Sequence, residues 1–357
     1  MAGISLILQN NPTVTQINCG TSSPKLGGTI DLSAFPNLQQ FRCENHNITN
    51  ISGYGNNVIT ALQIQTNLLS GSFLNLTGLN QVQVLWIYNN QYSGSFPTGF
   101  ANLTSLVNFR CEANRLTGSI PSLSTFPGLR YFQCHNQQGT TKLTGPIPVL
   151  TGCPILQEFQ CHTNQIGGTL PEISGLNSLQ LFHCSAQAAP GGITGFFPVL
   201  NNPALREFRI DNNLVSGTIP SLNNIPNIQL FSCFQNRLTG SIPNLSQLTS
   251  LRAFWAYNQG GATKLTNFDG GSVSNTLGDF RADSNQLSST AVNSILAAFV
   301  AAGRTTGNAT GITPGFSLCT LNLGGASTTN FRPTGQGVND VQTLRDRGWI
   351  VTTGTRV

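Results

Sequence analysis

Apolar residues recur along this chain in short bursts at a nearly constant interval. Each burst places apolar side chains at positions 1, 4 and 6, a polar amide at position 9 and a further apolar residue at position 11. Positions 4 and 6 are alternate residues of one strand face, because successive strand side chains point to opposite sides. The bursts start at Val14, Leu38, Ile59, Val82, Leu106, Leu129, Leu156, Leu179, Leu205, Ile228, Leu251 and Leu277, and most steps are 23 or 24 residues. One coil of that length cannot bury its apolar side alone, so neighbouring coils must stack and share a core. The pattern therefore predicts a solenoid with one short parallel strand per coil.

After each strand comes a second signature. Tyr92–Pro97, Leu116–Pro121, Leu143–Pro148, Ile166–Pro171, Ile193–Pro198, Val215–Pro220 and Leu238–Pro243 repeat the form Leu-Thr-Gly-x-Ile-Pro. Glycine there permits a tight bend, and the proline presets an extended segment. Position 9 is Asn67, Asn90, Asn114, Asn164, Asn213, Asn236 and Asn285, where an inward amide can bond the turning backbone of adjacent coils. Over roughly residues 14–290 the chain resembles the leucine-rich repeat, and its tail resembles the plant-type subclass. The resemblance implies a right-handed coil of about 12–13 turns with a parallel sheet on the concave side.

Two departures from that family pattern alter the expected core. Position 4 is mostly Phe (Phe41, Phe109, Phe132, Phe159, Phe182, Phe208, Phe231, Phe254, Phe280), and position 6 is Cys at Cys19, Cys43, Cys111, Cys134, Cys161, Cys184 and Cys233. A large ring beside a small thiol conserves volume. The nine cysteines are odd in number and follow the repeat, so they read as packed thiols and not as a disulfide framework.

Both ends need covers, since an open end coil exposes a strand edge and apolar surface. Residues 1–13 read as an N-terminal cap, 14–288 as the repeat array and 289–357 as a C-terminal cap. In the last, Val292, Ile295, Leu296, Phe299 and Val300 form a helical stripe that starts at Ser/Thr and stops at Gly303. Leu318, Leu321 and Leu323 then repeat the strand pattern, and a short helix and strand come after them through Asp340–Arg347 and Trp349–Val351. This ending resembles tails of leucine-rich-repeat proteins from bacterial and bacteriophage genomes. Paired cap cysteines of plant receptor ectodomains are not arranged here. Met1–Asn10 lacks the charged and apolar regions of a secretory leader or membrane span. The Asn-x-Ser/Thr triplets, including that at Asn308, would matter only in a secretory pathway.

Charged residues make up only 8% of the 357, with a formal net charge of +5 and no concentrated basic stripe. Nucleic acid is therefore not an expected partner. Strand positions 2, 3, 5, 7 and 8 face outward and carry seven of the 12 acidic and seven of the 17 basic residues. The form Arg-x-acid recurs at Arg42/Glu44, Arg110/Glu112, Arg209/Asp211 and Arg281/Asp283, which predicts same-face ion pairs. Aromatic side chains collect on the same face. The candidate ligand-binding residues are Trp86, Tyr88, Tyr131, His135, His162, His183, Arg209, Phe234, Trp255 and Tyr257. Three coils carry four extra residues within Gln137–Lys142, Gln187–Gly192 and Gln259–Lys264, expected to project from one rim.

No nucleophile elbow, metalloprotease motif, Cys-x-x-Cys or phosphate loop occurs, so no enzyme activity, catalytic residue, metal or cofactor is expected. The expected function is a recognition or structural protein exposed on a surface. A bacteriophage fibre or decoration that binds host-surface protein or glycan is one form of it. A bacterial or plant-type adhesin or inhibitor that binds protein or polysaccharide is the alternative.

Overall fold

The computed structural model describes residues 11–20, 23–55, 58–305, 319–325 and 330–356. Most of the expected N-terminal cap, together with Leu318 and Asn308, lies outside the described residues. The fold is a parallel β-solenoid with two α-helices near its C-terminus. Its chain divides into two compact units, residues 1–167 with 187–191 and residues 168–186 with 192–357.

In the first unit seven strands pair parallel and in register: Gln16–Asn18, Gln40–Arg42, Ala61–Gln63, Val84–Trp86, Asn108–Arg110, Tyr131–Gln133 and Glu158–Gln160. In the second unit the strands are Leu181–His183, Glu207–Arg209, Leu230–Ser232, Ala253–Trp255, Asp279–Arg281, Thr320–Asn322 and Ile350–Thr352, again parallel and in register. Each strand is three residues long because the chain bends at position 8. That residue is left-handed in eleven coils: Asn45, Thr66, Asn89, Ala113, Asn136 and Thr163 in the first unit, and Ala186, Asn212, Gln235, Asn258 and Ser284 in the second, with φ between 49° and 62°. Side chains other than Gly or Asn resist this conformation, so the bend is imposed by the residue next to it.

That neighbour is the amide at position 9. In the first unit Asn114 Nδ2 donates to the carbonyls of Ile87 and Cys111 at 2.9 and 3.1 Å, and its Oδ1 accepts from the Tyr92 amide at 3.0 Å. Asn67 and Asn90 there, and Asn213 and Asn236 in the second unit, repeat the arrangement. Each amide thus closes its own turn and pairs backbone of the coil before it.

Residues 138–141, 188–190 and 260–263 of the longer coils are exposed. The glutamines before them do not project: Gln137, Gln187 and Gln259 are buried and occupy the ladder themselves, with Gln137 Nε2 on Cys111 O at 3.0 Å and its Oε1 receiving the Leu116 amide at 3.0 Å. His46 holds the same place in its coil, with Nε2 2.7 Å from Cys19 O and Nδ1 accepting from the Leu26 amide at 3.2 Å. Two of the three loops are pinned at their ends, at Gly139-Thr-Thr-Lys142 and Gly261-Ala-Thr-Lys264. Lys142 Nζ reaches Thr163 O at 3.3 Å, and Lys264 Nζ reaches Ser284 O at 3.2 Å, each the left-handed residue of the next coil.

Position 4 supplies a column of fully buried rings. Phe109, Phe132 and Phe159 lie 5.4 and 5.6 Å apart in the first unit, and Phe182, Phe208, Phe231, Phe254 and Phe280 lie 5.4–5.6 Å apart in the second. None of the nine cysteines is joined in a disulfide, and every one but Cys19 is buried. The Leu-Thr-Gly tails do more than bend. They pair in a second set of short parallel ladders, such as Ser216–Thr218 with Arg237–Ile242 and the latter with Leu265–Phe268. Glycine is required within them: Gly217 has φ 79°, and a Cβ there would meet the Phe196 ring at 2.5 Å.

At the C-terminal end the helix Ser289–Ala302 starts on a Ser288 cap that accepts the Ala291 amide at 3.1 Å, and it ends on left-handed Gly303. Val292, Ile295, Leu296 and Phe299 are buried, and Phe299 packs edge-on against Phe280 and Trp349. A second helix, Gln336–Asp346, leads into the strand Ile350–Thr352. No helix among the described residues is long and apolar enough to cross a membrane.

Candidate functional site

Inward positions are filled by packing and ladders, so chemistry is left to the outward residues at positions 3, 5 and 7. In the first unit Trp86 and Tyr88 stand at positions 5 and 7 of one coil, and Arg110 and Glu112 at 5 and 7 of the next, with Trp86 paired in register with Arg110. The Arg110 guanidinium lies over both rings, 5.6 Å from the Trp86 centroid and 4.2 Å from that of Tyr88. Its Nε and Nη2 both donate to Glu112 Oε1, at 3.0 and 2.6 Å. Trp86 Nε1 donates to Asn108 Oδ1 at 3.0 Å. The cluster is a closed box of two rings, a cation and a carboxylate.

Beyond Glu112 along position 7, His135 and His162 stack with centroids 4.2 Å apart. Burial, with a smaller push from the Arg110 charge, depresses His135 from 6.5 to about 4, and burial raises Glu112 above the usual carboxylate range. Tyr131 donates its hydroxyl to Gln157 Oε1 at 2.6 Å.

The depressed His135 carries a pH signature. Unfolded histidine takes its proton near 6.5, whereas the folded side chain holds out to about 4, so the stability it contributes is complete above 6.5 and is lost as pH falls through 4. The raised carboxylates Glu112, Asp211 and Asp283 act with the opposite sign, since their ionised forms are the costly ones. Comparing the wild type with His135→Gln isolates the histidine. The urea midpoint of the wild type relative to that variant should drop between about pH 7 and pH 4; a pH-independent difference would contradict the assignment.

In the second unit the same constellation recurs. Trp255 and Tyr257 occupy positions 5 and 7, followed in the next coil by Arg281 and Asp283, with Trp255 paired in register with Arg281. Phe234, at position 7 one coil earlier, stacks on Tyr257 at 4.4 Å and 6° and meets Trp255 edge-on at 6.4 Å. Arg281 lies 5.4 Å from the Trp255 centroid. His183 Nε2 lies 2.7 Å from Ser185 Oγ. Along position 2 of this unit Gln180, Arg206 and Gln229 line a polar groove of about 380 Å³.

The expected Arg-x-acid pairs need correction. Arg110 pairs with Glu112 as expected, but Arg209 turns back to Glu207 at 2.7 Å and Arg281 to Asp279 at 2.8 Å, while Arg42 donates to Gln40. Positions 3 and 7 are both two residues from position 5 on one face, so an arginine with acids at both can turn either way. Asp211 instead accepts from Ser232 Oγ at 2.7 Å and Asn212 Nδ2 at 3.0 Å. Arg110, Glu112, Arg281 and Asp283 join the site although the aromatic pattern alone does not select them. Their signal in the sequence is Trp-x-Tyr followed one coil later by Arg-x-acid, at 24 residues from Trp86 to Arg110 and 26 from Trp255 to Arg281. Among the described residues no three His, Cys, Asp or Glu side chains are grouped to hold a metal ion.

No family model and no curated protein matches the chain. Solved structures do. A plant peptide hormone receptor, RGFR1 in complex with RGF2, is 22% identical over 93% of this chain and 54% of its own, with a TM-score of 0.64. The functional domain of InlJ from Listeria monocytogenes, described as including a cysteine ladder, is 23% identical over 70% of this chain and 50% of its own, TM-score 0.54. An internalin, inlF, from the same species is 17% identical over 97% and 87%, TM-score 0.53. The chain has the leucine-rich-repeat fold, and it spans about half the length of the plant receptor.

Proposed function

We propose that this chain is a non-enzymatic binding module that recognises a protein or peptide on the outward strand face, through the residues around Trp86 and Tyr88 in one unit and Phe234, Trp255 and Tyr257 in the other. The observation that carries this reading is the gathering of half-buried rings and arginines on that face, twice in the same constellation, in a chain with only 8% charged residues. Rings and guanidinium groups that keep part of their surface in water are the groups that dominate protein contacts. The plant receptor of the same fold, seen with RGF2, supports a peptide ligand over a glycan. Such a role places the module on a surface or outside a cell.

Selection of a displayed random-peptide library on the immobilised protein, with a glycan array probed in parallel, tests the reading. Recovery of peptides with a shared sequence pattern is expected. Saturable binding to glycans alone would overturn the peptide reading in favour of an adhesin for polysaccharide.

A second reading, a bacteriophage virion appendage, is favoured by nine cysteines outside any disulfide, which suit folding in a reducing compartment before release. Mass spectrometry of purified particles from the source culture would contain the chain if that reading holds.

A further inference from the structure

The two ring-and-arginine constellations are built from the same positions but are not in the same state. In the first unit the protein's own guanidinium fills the space between the Tyr88 face and the carboxylate of the following coil, bonding Glu112 through two nitrogens. In the second, Arg281 turns to the other side. Its Nε and Nη2 close on Asp279 Oδ1 and Oδ2 at 2.8 and 2.9 Å, and Asp279 is fully buried beneath it.

That turn leaves the equivalent carboxylate, Asp283, without the cation its counterpart holds. Among the described residues Asp283 Oδ2 accepts a long bond from Ser284 Oγ at 3.3 Å, and Oδ1, shielded from water, meets no donor. Tyr257 is backed by Phe234 on one face, with the Asp283 coil on its other side. The far end of this row differs again, since both oxygens of Asp211 already have donors.

We propose that the slot between Tyr257 and Asp283 binds a basic side chain, the guanidinium or ammonium group of an Arg or Lys presented by a peptide, an assignment that rests on the peptide-binding reading above. The incoming cation takes the place that Arg110 takes on Tyr88 and Glu112. Its flat or compact charged head lies against the tyrosine ring while the Asp283 carboxylate turns to accept its N–H groups. Burial already holds Asp283 above the usual carboxylate range, with Arg281 the smallest of the opposing influences, so a cation in the slot relieves a standing cost. Phe234, stacked on the far face of Tyr257, holds that ring toward the Asp283 coil.

The test is the same library selection run on the wild type and on Asp283→Asn, each first shown folded by circular dichroism. Peptides from the wild type should carry Arg or Lys at one fixed position well above the library frequency. Those peptides should lose about tenfold or more in affinity for Asp283→Asn, whereas peptides lacking the basic residue should bind both proteins alike. Peptides without basic enrichment, or enrichment that survives Asp283→Asn, would overturn the slot and leave the peptide reading intact. If no peptide is recovered, the peptide reading falls, and the slot is decided alone by titrating N-acetylarginine amide and N-acetylcitrulline amide against tryptophan fluorescence. A saturable response to the arginine probe only, absent in Asp283→Asn, supports it; equal responses overturn it.

Discussion

Replacing Phe208 with alanine is expected to destabilise the protein by about 3–5 kcal/mol. Phe208 is fully buried, with Phe182 and Phe231 each 5.5 Å away and Phe197 at 6.0 Å, all within the second unit. Its removal opens a cavity that cannot collapse, because the rings on both sides are held by in-register strands. Coils in a solenoid are coupled to their neighbours, so the loss spreads to the coils either side. Phe208→Leu, which keeps most of the volume, should cost far less. Urea denaturation followed by far-ultraviolet circular dichroism checks both, and an alanine variant within about 1 kcal/mol of the wild type would show that the rings are not packed as a column.

Asn236→Ala should cost about 3 kcal/mol for a different reason. Its Oδ1 accepts the Val215 amide at 3.0 Å and its Nδ2 serves the carbonyls of Ile210, Cys233 and Phe234 at 3.0, 3.1 and 3.2 Å. Alanine leaves a buried N–H and a buried C=O with no partner, and each orphan costs about 1–3 kcal/mol. Asn236→Asp separates this from packing. It keeps the acceptor but turns a carboxylate toward three carbonyl oxygens, so it should be at least as damaging as alanine. Amide hydrogen exchange at Val215 should accelerate in the alanine variant, and protection unchanged at that site would contradict the ladder.

The ladder and the ring column are legible in the sequence because both obey the repeat strictly. Asn recurs at position 9 and Phe at position 4, and a single spacing reaches all of them. Where the residue type changes, spacing no longer suffices: His46 does not match the Asn pattern, and Gln137, Gln187 and Gln259 look like the start of inserted loops. Their imidazole or longer amide still reaches the same carbonyls, which only the coil-to-coil geometry reveals. Lys142 and Lys264 resemble loop decoration for a similar reason, since the carbonyls they cap lie about twenty residues away. On the outward face, composition identifies the rings but not their partners. Whether Arg281 turns to Asp279 or to Asp283 is a choice of side-chain conformation between acids equally spaced in sequence, and the whole difference between a filled and an unfilled slot hangs on it.

Binding through the outward strand face is tested most directly by calorimetric affinity for a library-selected peptide. The comparison needs two variants: Trp86→Ala/Trp255→Ala on that face, and Phe196→Ser, which replaces an apolar ring 73% exposed at a tail position. The tryptophan variant should weaken binding by about tenfold or more while Phe196→Ser leaves it unchanged. Binding that survives loss of both tryptophans and falls with Phe196→Ser would place the ligand on the tail side and contradict a binding role for the strand face.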